Sequence, residues 1–246
     1  MPTQIYAPIN RLKQVITGIW IVDGPILRFG APFLKLPFTT RMTIIRLRDK
    51  KLFVHSPTPL LPDLRGQLRR AGQPQFIVAP NRLHYWWIPE WRAAFPDAAI
   101  YLAPCTKRQA GDRLRFGGLR LDAESGYPWD AEIATLPIAG SYLTEVVFFH
   151  RATRTLILTD LIENFEARKL KSNLARLLTR LGGVQDPDGQ MPRDLRLTFR
   201  KHKAQLRAAV EKMITWNPER VILAHGRWYR SHGARELQRA FRWLLA

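Results

Sequence analysis

The period of the apolar positions changes several times along this chain, and each change marks an element. VITGIWIVDGPI (Val15–Ile26) reads as one strand turning at Asp23-Gly24-Pro25. A loop holding Pro32 and Pro37 leads to MTIIRLRD, a turn at Asp49-Lys50, and KLFVHS, a hairpin signal of β-branched runs around a polar break. Leu61, Leu64 and Leu68 recur at helical spacing and stop at Gly72, as a helix should. A strand FIVAP, a short helix IPEWRAAF ended by Pro96, and a strand AAIYLAP follow. RLRFGGLRLD alternates apolar residues with arginines about Gly117-Gly118, which predicts a tight hairpin.

The middle of the chain is the most informative part. TEVVFF and TLILT read as two strands turning at about Arg151 to Thr153. A turn there makes antiparallel partner numbers sum to about 305. Glu145 then falls opposite Asp160, within a residue. The last third is helical. Leu170, Leu174, Leu177, Leu178 and Leu181 form a stripe ended by Gly182-Gly183, expected to face the core with its flanking basic residues solvated, the alternative being a membrane-surface helix. Leu206, Val210 and Met213 form another, then come a buried strand, RVILAHG, and a terminal helix, ELQRAFRWLL. Strands mixed with helices in both halves predict a layered α/β sandwich.

Composition narrows the class. At 246 residues with 46% hydrophobic content, one layered domain over 1–246 is expected. A single cysteine, Cys105, excludes an internal disulfide and a cysteine-rich zinc site. No apolar run reaches bilayer length, and the first residues lack a signal-peptide apolar region, so a cytoplasmic protein is expected. The net charge is +19, yet residues 121–165 carry seven acids against two basic residues. An acidic island in a basic chain is what a cation site looks like. No basic block or nucleic-acid module is recognisable, so a nucleic-acid partner is not expected.

Candidate chemistry gathers at strand ends. An acid closing a buried strand, as Asp160 closes LILT, needs a metal, a cation or backbone donors. Two adjacent carboxylates call for a cation or a shared proton, unless Ser, Thr or Arg satisfies each locally. His225 ends RVILAH, while His84 in APNRLHYWW and His55 in KLFVHS also follow strands. His84, Asp160 and His225 together would suit one zinc or iron ion, leaving positions open for water. Against this, no HxH or HExxH pair exists. His150 is read as a turn residue, His202 as solvated and His232 as a loop residue before the last helix. Trp86, Trp87 and Trp91 are expected in the core, the alternative being an apolar pocket wall.

Taken in order, GIWIVDGP, IIRLRDKKLFVHSPTP, LTEVVFFHRATRTLILTDLIE and VILAHG resemble the metallo-β-lactamase superfamily. With VAPNRLHYWWIPEWRAAFPDA and PDGQMPRDLRLTFR, the chain more closely resembles domain of unknown function 4336. The resemblance implies a four-layer αββα sandwich with site loops at one edge of two sheets. It also implies that Asp160 matches the bridging aspartate and His225 the late histidine. Of the HxHxDH motif only His84 remains, and Ser141 stands where a Gly-His pair has its histidine. A dinuclear centre is therefore in doubt. The expectation is a degenerate site: a mononuclear metal-dependent hydrolase, or an oxidoreductase, acting on a small molecule, with Asp160 and Glu145 catalytic. The alternatives are a metal-free binding or scaffold protein, or a basic adaptor for nucleic acid or a membrane surface.

Overall fold

The computed structural model describes residues 6–31, 34–170 and 172–246. In chain order the strands are β1 (Lys13–Ile16), β2 (Ile19–Asp23), β3 (Leu27–Ala31), β4 (Leu34–Phe38), β5 (Arg41–Arg46), β6 (Lys51–His55), β7 (Gln73–Ala79), β8 (Ala99–Leu102), β9 (Leu119–Arg120), β10 (Ile133–Ala139), β11 (Thr144–His150), β12 (Thr155–Leu158) and β13 (Arg220–Leu223). The helices are α1 (Pro62–Ala71), α2 (Ile88–Ala94), α3 (Thr106–Ala110), α4 (Asn173–Gly182), α5 (Arg193–Thr198), α6 (Lys203–Thr215), α7 (Gly233–Ala240) and α8 (Arg242–Leu245). The chain divides into two compact units, Met1–Ile26 with Thr39–Asp122, and Leu27–Phe38 with Ala123–Ala246.

The first unit is built on a seven-stranded sheet in the order β1-β2-β5-β6-β7-β8-β9. Neighbours are antiparallel from β1 to β6 and parallel from β6 to β9. Leu64 and Leu68 of α1 and Ile88 and Trp91 of α2 pack on Met42, Ile44, Leu52, Val54 and Ile77. Trp91 is fully buried, and its indole N–H donates to Thr58 O at 2.7 Å, so this tryptophan is core as expected.

Two local expectations fail here. VITGIW is not one strand: the chain reverses at Thr17-Gly18, where Gly18 takes φ +83° and separates β1 from β2. A period-two apolar pattern does not register a tight reversal when its turn residue is a lone glycine. RLRFGGLRLD is not a hairpin either. Only Leu119–Arg120 is strand, running parallel to β8. A Cβ at Gly118 would come within 2.7 Å of the Leu102 side chain. The glycine permits a close strand approach, not a turn.

The second unit carries a four-stranded sheet, β10-β11-β12-β13. The register Phe148↔Ile157, Phe149↔Leu156 and His150↔Thr155 is the expected sum of 305. β12 and β13 run parallel. Leu206, Val210 and Met213 of α6, with Leu237, Ala240 and Phe241, cover the face bearing Val147, Phe149, Leu156, Leu158, Val221 and Leu223. β3 and β4 form a separate two-stranded ribbon in place of the expected loop, with Pro37 opposite Arg28. The other proline of that loop, Pro32, lies outside the described residues.

α4 departs from expectation most. Its buried residue is Ala175, while Leu174, Leu177 and Leu181 are exposed and only Leu170, ahead of the helix, is buried. Leu178, three residues after Ala175 on the same side, is half-buried.

Candidate metal centre

Asp160 and His225 are placed by adjacent parallel strands. β12 ends at Leu158 and β13 at Leu223, and after one further residue each delivers its polar side chain. Because Leu158 pairs with Leu223, the two side chains leave the sheet level with one another. His225 Nε2 stands 3.1 Å from Asp160 Oδ1, with both residues buried. Phe38 meets the His225 ring edge-on, with centroids 5.6 Å apart, and limits its rotation.

Glu145 of β11 is beside Asp160, as the register requires. It is completely buried, and its carboxylate accepts three backbone hydrogen bonds. Thr159 N–H donates to Oε1 at 2.6 Å, and Asp160 and Leu161 N–H donate to Oε2 at 2.7 and 3.0 Å. Backbone donors thus compensate Glu145. Its carboxyl is pushed up to about 7, by burial first and by the Asp160 carboxylate second, against the pull of those N–H groups.

Glu163 is the residue that sequence reasoning missed. It is buried, and desolvation pushes its carboxyl up to about 8. His225 opposes that rise, and the carboxylates of Asp160, Asp194 and Glu145 add to it. The polar pair after the Asp160 strand was its only signal. Asn164 holds the surrounding loops: its amide nitrogen donates to Asp186 Oδ1 and Arg227 O, and its Oδ1 accepts Gly189 N–H. Its backbone passes so close to Gly226 that a Cβ there would lie 2.1 Å from Asn164 O.

In the first unit, the Pro80–Leu83 loop after β7 delivers His84, which is half-buried. Its Nδ1 lies 2.7 Å from Ser56 Oγ. Burial first, and the charge of His84 second, hold the His55 imidazole down at about 3, so it stays neutral. Asp160 and His225 belong to the second unit and His84 to the first. His150 Nδ1 pairs with Thr153 Oγ1 at 2.8 Å, at the end of β11 remote from Asp160.

Two imidazoles and one carboxylate fit a single zinc or iron ion in donor type. The remaining motif positions do not fit a second. Ser141 is exposed and donates its hydroxyl to Thr198 O at 2.8 Å, and Asn81 Oδ1 is taken by Leu83 N–H.

Comparison with known proteins places the chain in the metallo-β-lactamase fold, the four-layer αββα class expected from the sequence. DIM-1 metallo-β-lactamase is similar at 12% identity, with 94% of this chain and 96% of that one covered and a TM-score of 0.62. A metallo-β-lactamase from Hirschia baltica gives 13%, 96%, 97% and 0.58. Rubredoxin oxygen:oxidoreductase from Desulfovibrio gigas gives 10% identity and a TM-score of 0.63, over 95% of this chain and 61% of that one. Within that class, the family described as domain of unknown function (DUF4336) matches residues 30–176, and the chain belongs to it. No curated protein matches the chain.

Proposed function

We propose that the chain is a mononuclear metal-dependent hydrolase acting on a small molecule, its two units working as one metallo-β-lactamase-like domain over 1–246. The observation that carries this reading is the buried pair of Asp160 and His225 at the ends of adjacent strands, Oδ1 and Nε2 3.1 Å apart, a ligand set that His84 of the first unit would complete. These residues would hold one zinc or iron ion. When bound, that ion supplies Lewis acidity toward a carbonyl or phosphoryl oxygen.

The chain's own residues do the rest. Glu145 fixes the Asp160 turn through three backbone N–H groups, so Asp160 presents Oδ1 in one orientation. Ser56 holds the His84 ring and Phe38 the His225 ring, the supporting role that partners of ligands play. In the metal-free chain burial raises the Glu163 carboxyl to about 8, which suits it to carry a proton near neutral pH for a leaving group.

The test is a panel of small esters, thioesters, lactones and phosphodiesters, assayed with zinc- or iron-reconstituted protein. Turnover lost in Asp160→Asn and His225→Ala but retained in Ser141→Ala supports the reading. Activity indifferent to all three, or no turnover of any substrate together with no metal taken up on reconstitution, favours a metal-free binding protein on the same scaffold.

Among the described residues no helix is long and apolar enough to cross a membrane.

A further inference from the structure

α4 has an apolar face that the fold does not use. Leu174, Leu177 and Leu181 recur at spacings of three and four and are 54%, 53% and 57% exposed. Scattered single leucines on a surface are ordinary, but three aligned on one helix face are a patch. The helix is well made in spite of this. Ser172 caps its start by accepting Ala175 N–H, and Gly183 closes it at φ +72°.

The helix is closed by local bonds of its own. Gln185 donates to Arg176 O and to Thr179 Oγ1, and Thr179 Oγ1 donates back to Ala175 O. Ala175 is the buried contact. The segment entering the helix is anchored by Leu170, which packs with Phe165, Val184 and Phe38. Phe38 is also the ring against His225, so the helix and the candidate metal centre share one apolar wall.

Charge selects the occupant. α4 contains Arg176 and Arg180 and no acidic residue, and both arginines are exposed beside the leucines. An outward apolar stripe edged with arginine suits a surface that is apolar inside and anionic at its rim. We propose that the leucine face of α4 docks this protein on an anionic lipid bilayer. The leucines enter the acyl boundary, while Arg176 and Arg180 meet phosphate headgroups. At 10 residues the helix spans about 15 Å, too short to cross a bilayer, so docking would be at the surface.

The experiment is co-sedimentation of the full chain with vesicles of phosphatidylcholine alone and with about one third phosphatidylglycerol. With its net charge of +19 the chain has a general attraction to anionic lipid, so the leucine variant is the discriminating arm. The combined Leu174→Ser, Leu177→Ser and Leu181→Ser protein should bind anionic vesicles at least about tenfold more weakly, with an unchanged melting temperature. Arg180→Gln should weaken binding to anionic vesicles while leaving the residual affinity for neutral ones unchanged. Anionic-vesicle binding unaltered by the serine substitutions would overturn the proposal, leaving only diffuse charge attraction. So would a dimer of the wild-type chain that the same substitutions dissolve, because a second copy would then cover the face.

Discussion

Glu145 accepts the backbone N–H of Asp160 at 2.7 Å, so one buried carboxylate sets the position of the next. The neighbouring N–H groups of Thr159 and Leu161 bond to the same carboxylate, and the turn that presents Asp160 is therefore over-determined.

Removing that acceptor exposes its role. Glu145→Ala should leave three N–H groups in a buried site without their acceptor and cost about 3 kcal/mol or more. Glu145→Gln, which retains one carbonyl oxygen, should cost less. Urea unfolding of both variants measures this, and an equal cost would mean that the side chain only fills space.

Glu163 predicts a pH dependence for the metal-free protein. Its carboxyl, ordinarily near 4.5, is raised in the fold to about 8 by burial. Between those values the folded state keeps a proton that the unfolded state has released. Stability therefore falls as pH rises through this window, by about 1.4 kcal/mol per pH unit for one proton. Glu163→Gln should flatten that slope. Urea midpoints at pH 5, 6.5 and 8 check it, and parallel slopes for the two proteins would refute it.

Asp188 contributes to acid stability in the opposite sense. Hydrogen bonds from Arg242 and Arg239 hold its carboxyl below the usual range, although burial opposes them. The stabilisation is present above the unfolded value and is lost as pH falls through the lower folded one. Because this site is well exposed, Asp188→Asn should shift acid unfolding only slightly toward neutral pH, as read by circular dichroism.

The register of the β11–β12 hairpin was legible because two buried strands and a short turn leave one pairing that keeps both apolar faces covered. From that register the neighbourhood of Glu145 and Asp160 followed. Asp160 and His225 were legible as polar residues closing apolar strands. Glu163 was not, because it lies three residues beyond the strand and gains its environment only from folded neighbours such as Asp194 and His225. The α4 leucines misled for a related reason. Helical periodicity identifies an apolar face but not what meets it, and a single alanine carries the buried contact instead. At Gly117-Gly118 two unrelated needs produce one motif, a tight turn and a close strand approach, and only the neighbouring Leu102 separates them.

The positive charge should not create a nucleic-acid groove. Several arginines are already paired, with Arg239 and Arg242 on Asp188, Arg120 on Asp122 and Arg207 on Glu211. Binding to duplex and single-stranded oligonucleotides should be weak, indifferent to sequence and lost by physiological salt. Sequence-selective binding that survives that salt would reverse this reading.

The central claim is that His84, Asp160 and His225 hold one metal ion. Elemental analysis of the full chain purified without chelator, and of zinc- and iron-reconstituted protein after dialysis, measures this directly. The account predicts one equivalent per chain, lost in Asp160→Ala and His225→Ala and retained in Ser141→Ala. Two equivalents lost together on Asp160→Ala, or none after reconstitution of a folded chain, would contradict it.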